Sequence, residues 1–112
     1  MKTADQIKPN YGPVYAAALY PKLAAIFQHH GYALAVHGSL ARDFDLIAVP
    51  WVDMVSPHAD VFADIKKAMA VDLASDAPEK KPHGRLAYTL IIGFGFCSAD
   101  ISFMPPLGPE HN

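Results

Sequence analysis

The sequence predicts an α/β domain of the α+β kind: a small mixed sheet of about four strands with two main helices packed on it. Three observations carry that prediction. Two stretches place apolar residues at helical steps, shorter stretches are rich in β-branched and aromatic residues, and Gly, Pro and polar clusters separate them. The chain has 112 residues, 52% of them hydrophobic, which suits one domain over residues 1–112 with a buried core. The ends, 1–10 and 106–112, read as flexible.

The first helix is expected between Gly12 and His30, where Leu19, Leu23, Ile26, Phe27 and His30 make one apolar stripe. Pro21 inside it predicts a kink or a fresh start, and Gly31 is the expected C-cap. His29 and His30 are adjacent, point to different sides of a helix, and read as helix-end cations. Tyr32 to His37 reads as a buried strand leaving through Gly38-Ser39. Phe44 to Val49 reads as a second strand, apolar enough for both faces to be covered. Pro50 and Trp51 end it, and Val52 to Pro57 is a loop.

Ser56 with Pro57 looks like an N-cap and first helical residue. The helix that follows, His58 to Leu73, carries Val61, Phe62, Ile65, Met69 and Leu73 on one face. Asp60, Asp64, Lys66 and Lys67 form a solvated surface. Ser75 to Pro82 is a polar connector. Arg85 to Ile92 and Phe96 to Met104 read as a hairpin turning at Gly93-Phe94-Gly95.

Composition narrows the function. A formal charge of −2 gives no strong nucleic-acid signal. Cys97 is the lone cysteine, the N-terminus lacks an apolar signal core, and no apolar run could span a bilayer. The expectation is a cytoplasmic protein with no membrane partner. Its apolar content leaves a homodimer open. No zinc spacing, P-loop or Ser-His-Asp arrangement is visible, and Gly93-Phe94-Gly95 alone is no dinucleotide fingerprint.

The chemistry-bearing stretch is His37-Gly38-Ser39 followed, after Leu40, Ala41 and Arg42, by Asp43-Phe44-Asp45-Leu46. On a strand, Asp43 and Asp45 project from one face. Two like charges that close repel unless a cation lies between them. On spacing alone, a divalent metal and a solvated polar turn both stand. Asp100, between Ala99 and Ile101, is costly to bury without a partner and would complete a three-carboxylate cage. Such a cage suits Mg²⁺, with Mn²⁺ as a substitute, when phosphates complete the shell.

The order helix, strand, Gly38-Ser39, Asp43-Phe44-Asp45-Leu46, helix, hairpin, Asp100 resembles the nucleotidyltransferase superfamily, the DNA polymerase beta-like group in its minimal form. The family pattern is apolar-Gly-Gly/Ser, then Asp-apolar-Asp/Glu-apolar; His37 stands where an apolar residue is usual. The resemblance implies that Asp43 and Asp45 are metal ligands. Asp100 would be the third carboxylate, assisting metal binding and deprotonation of the acceptor hydroxyl, and all three are then catalytic. It implies that Gly38 and Ser39 contact nucleotide phosphates. It also implies Mg²⁺-dependent transfer of a nucleoside monophosphate from an NTP to a hydroxyl acceptor that the chain does not identify.

Only three residues separate Ser39 from Asp43, where family members carry a longer phosphate-binding segment. Arg42 is a candidate replacement for its positive charge, or an exposed partner of Asp43. Arg85, after His83-Gly84, is a second candidate phosphate ligand, or ordinary loop charge. His37 reads equally as a group at the site mouth or a core histidine. His58 reads as structural, and Trp51 as a base-stacking residue or a core edge. The alternative function is a catalytically degenerate member of the same fold, serving as a nucleotide-binding or antitoxin-like protein-interaction module. Stand-alone chains of this size and likeness often come from phage or prophage genomes.

Overall fold

Pro21 decides how the first helix is built. Proline has no N–H to give to the carbonyl four residues back, so the ladder must slip around it. In the computed structural model a first α-helical turn, α1 (Gly12–Val14), runs into a π-helical turn, Tyr15–Leu19. The Tyr20 N–H donates to the Tyr15 carbonyl, five residues back, and α2 (Tyr20–His29) then starts with Pro21 in its opening turn. Gly31 has φ +93°, the left-handed cap its position predicts, and a Cβ there would meet Val52 Cγ2 at 2.6 Å. The structure describes residues 12–40, 43–92 and 98–106. The expected turn at Gly93-Phe94-Gly95, together with Arg42, Cys97 and the termini beyond those limits, lies outside them.

Among the described residues the sheet has six strands rather than about four: β1 (Tyr32–His37), β2 (Phe44–Pro50), β3 (Val71–Leu73), β4 (Glu79–Lys81), β5 (Arg85–Ile92) and β6 (Ser98–Phe103). Their order is β1-β2-β6-β5-β3, with β4 also pairing β5. The sheet is mixed because β2 and β6 run parallel while the other pairs are antiparallel. The predicted β5–β6 hairpin pairing is present.

The second main helix, α3 (His58–Ala68), is shorter than its sequence pattern suggests. Met69 is already extended, and Val71–Leu73 pairs with Leu90–Ile92 instead of adding a helical turn. Alternating Val71 and Leu73 suits a strand edge as well as a helix stripe, and the ladder to β5 decides between them. The N-cap is Pro57, one residue later than expected, because the Ser56 hydroxyl is engaged elsewhere.

One face of the sheet carries the core. Phe44, Leu46 and Ala48 of β2 and Ala99, Ile101 and Phe103 of β6 are buried there. Leu23 and Phe27 of α2 and Val61, Phe62 and Ile65 of α3 join them in one cluster. The other face is open. β1 is therefore less buried than expected, with Ala33, Ala35 and His37 exposed, and β2 shows half-buried Asp45 and Ile47 on that side. Among the described residues no helix is long and apolar enough to cross a membrane.

A polar clamp joins the helices. His30 Nδ1 lies 2.7 Å from Ser56 Oγ, and His30 Nε2 lies 2.6 Å from Asp64 Oδ2. Asp64 is thus not simply solvated, and a Ser-His-Asp arrangement exists that the sequence did not reveal. The Ser56 backbone is fastened too: its N–H donates to the His30 carbonyl, and its carbonyl accepts from Tyr32 OH. These bonds tie the end of α2 to the loop before α3 and to α3 itself, which is a structural role.

His58 stacks on Phe103 with ring centroids 3.9 Å apart, and its Nδ1 lies 2.9 Å from Tyr88 OH. Burial lowers its pKa from 6.5. The unfolded chain therefore takes up the His58 proton more readily than the folded one. This contribution to stability is fully present above pH 6.5 and is lost as pH falls from there through the lowered folded value. We expect urea midpoints to fall across that window in the wild type and to fall less in His58→Gln.

Candidate functional site

The open face of the sheet is polar at one end because of register. His37 of β1 pairs with Asp45 of β2, Asp45 with Asp100 of β6, and Asp100 with Thr89 of β5. Paired residues share a face, so four polar side chains form one row across four strands. The row runs into a groove of about 360 Å³, whose lining includes all four, with Ser102, Glu79, Lys81 and Arg85 toward β4.

Asp45 and Asp100 are the electrostatic centre of the row. Burial, and next the Asp100 carboxylate, raise the Asp45 pKa above its ordinary 3.8; His37 pulls it back, and Asp43 adds a smaller push upward. Thr89 Oγ1 donates to Asp100 Oδ1 at 3.0 Å, which fixes one carboxylate oxygen of that pair. Among the described residues no lysine or arginine stands in the row to offset the upward push of Asp100 on Asp45.

The other expected site residues are distributed unevenly. Arg85 lines the groove, with its Nε donating to the Pro82 carbonyl at 3.1 Å. Gly38 has φ +84°, and a Cβ on it would sit 3.5 Å from Asp45 Oδ2, so the Gly-Ser turn does abut the carboxylate. Ser39 is exposed just beyond it. Asp43 is exposed ahead of β2 and does not line the groove, although its charge reaches Asp45. Arg42 lies outside the described residues. Trp51 is not brought to the groove: it lies beyond the opposite end of β2, 59% exposed, beside Gln28, Tyr32 and Leu34.

Four polar residues of the groove are not site candidates from the sequence alone: Thr89, Ser102, Lys81 and Glu79. The signal for Ser102 is the period-two run of polar residues along β6, Ser98/Asp100/Ser102; on β5 Arg85 and Thr89 share a face with the apolar Ala87 between them, a weaker signal. Lys81 and Glu79 give no such signal, because the wholly polar Glu79-Lys80-Lys81 has the composition of a connector.

Among the described residues no group of three or more His, Cys, Asp or Glu side chains is disposed to hold a metal ion. The described side chains therefore do not close the expected three-carboxylate cage by themselves. The donor set that is present is two carboxylates side by side at a groove of about 360 Å³, oxygen ligands of the kind a hard cation takes. Mg²⁺ takes few protein ligands and fills its shell with water and phosphate oxygens. No protein-family model, no curated protein and no solved structure matches this chain.

Proposed function

We propose that this protein is a minimal nucleotidyltransferase-like enzyme that moves a nucleoside monophosphate from an NTP to a hydroxyl acceptor with Mg²⁺. The observation that carries the reading is the pairing of Asp45 with Asp100 on adjacent parallel strands, repelling and half-open to a groove. A bound divalent cation would neutralise that pair and polarise the phosphate being attacked. The chain's own residues would do the rest. Asp45 and Asp100 would hold the cation, Thr89 orients Asp100, and Gly38 lets the ligand approach Asp45 closely. Asp100 would take the acceptor's proton as the acceptor oxygen bonds to the α-phosphorus and the bond to pyrophosphate breaks.

A second reading, a nucleotide-binding or protein-interaction module without turnover, is favoured by one feature. Three residues join Ser39 to Asp43, and Asp43 stays outside the groove. Two assays on the full chain separate the readings: calorimetry with each NTP in Mg²⁺ and in EDTA, and pyrophosphate release with candidate acceptors. The transferase gives both Mg²⁺-dependent heat and pyrophosphate. A binding module gives heat alone, and an interaction module gives neither.

A further inference from the structure

We infer that Ser102, Arg85 and Lys81 form a polyphosphate subsite at the β4–β5 end of the groove, away from the Gly38-Ser39 turn. The first observation is Ser102. It is 8% exposed, lines the groove, and its Oγ has no hydrogen-bond partner among the described residues. Its register neighbours on that face are Ile47 and Ala87, which offer no side-chain acceptor. A buried hydroxyl left in this state is costly, and a ligand oxygen removes the cost.

The second observation is charge. Lys81 and Arg85 are register partners on β4 and β5, both on the groove. The Arg85 Nε is tied to the Pro82 carbonyl, which fixes the guanidinium while leaving its terminal nitrogens as donors. Lys81 Nζ lies 3.2 Å from Glu79 Oε1. That contact is solvent-exposed and weak, so a doubly charged phosphate competes for the ammonium.

The third observation is spacing. Ser102 is two residues from Asp100 along β6, roughly 7 Å. That is the reach from a cation held by Asp45 and Asp100 to a phosphate beyond the one it binds. A ligand suited to both ends needs anionic oxygens for the cation and more of them for Ser102, Arg85 and Lys81. A di- or triphosphate chain meets that requirement, lying along β6 and β5 rather than over the shortened Ser39–Asp43 connection. The subsite deepens the nucleotide reading and rests on it only for the neighbouring cation.

The test uses inorganic tripolyphosphate and the full chain, titrated calorimetrically in EDTA and in Mg²⁺. Binding is expected in EDTA, weakened about tenfold or more by Arg85→Gln and several-fold by Ser102→Ala and Lys81→Gln. Asp45→Asn is expected to preserve or tighten it. Ser102→Ala removes an unsatisfied hydroxyl, so its melting temperature should not fall, which keeps its loss of binding interpretable. The subsite is overturned if tripolyphosphate fails to bind in either buffer, or if Arg85→Gln and Ser102→Ala bind within twofold of wild type. Tripolyphosphate binding of the expected kind without turnover of any NTP would keep the subsite and remove the transferase. Pyrophosphate release indifferent to both substitutions would keep the transferase and remove the subsite.

Discussion

Asp45→Asn should melt at a higher temperature than wild type in metal-free buffer and lose Mg²⁺-dependent NTP binding by on the order of a hundredfold or more. The two effects have one cause. Asp45 is half-buried beside Asp100, and burial and that neighbour raise its pKa from 3.8. The folded chain therefore holds the Asp45 proton more tightly than the unfolded chain. By linkage, this residue's contribution to stability is greatest below pH 3.8 and is lost as pH rises through the raised folded value. Asparagine keeps the shape and removes the charge. The variant should lack that part of the acid-side pH dependence, which melts from pH 3 upward would reveal. In the wild type NTP should raise the melting temperature more in Mg²⁺ than in EDTA, and in the variant Mg²⁺ should add nothing to the rise. A variant less stable than wild type, with nucleotide binding intact, would mean that Asp45 serves the fold rather than a ligand.

Phe103→Ala should cost about 3–5 kcal/mol, a large share of the roughly 5–15 kcal/mol by which domains of this size are stable. Phe103 is 1% exposed at the end of β6. Its ring lies 3.9 Å from that of His58, 5.1 Å from Tyr32, 5.5 Å from Tyr88, 5.6 Å from Phe27 and 5.8 Å from Phe62. Those rings come from both main helices, from β1 and from β5, so truncation opens a cavity where all of them meet. Phe103→Leu fills most of the space and should cost less than half as much. Guanidinium unfolding of the three proteins checks the order. Because β6 also carries Asp100, the alanine variant should lose Mg²⁺–nucleotide affinity in step with stability, whereas Asp45→Asn separates the two.

Much of the architecture was legible because the strands that build the core announce themselves locally. β1 and β5 fall on their predicted limits, and β2 runs one residue further than predicted. β3 and β4 did not, for different physical reasons. Val71-Asp72-Leu73 continues the apolar stripe of α3 and becomes a strand only by pairing with Leu90–Ile92. Glu79-Lys80-Lys81 has no apolar residue and is held by its ladder to Arg85–Ala87. The clamp of His30, Ser56 and Asp64 joins residues 26 and 34 apart in sequence, a closure no local pattern encodes. At the site, Asp45 and Asp100 were visible as carboxylates on strands, but their pairing depends on the parallel register of β2 and β6. Asp43, chosen on spacing, precedes the strand and stays outside the groove, where alternation along β2 no longer orients it.

The most direct measurement is a crystal of the full chain soaked with Mn²⁺ and a non-hydrolysable NTP. An anomalous manganese peak is expected within coordination distance of both Asp45 and Asp100, with the phosphate chain running toward Ser102 and Arg85. Manganese and nucleotide bound elsewhere, with the Asp45–Asp100 pair contacting neither, would contradict it.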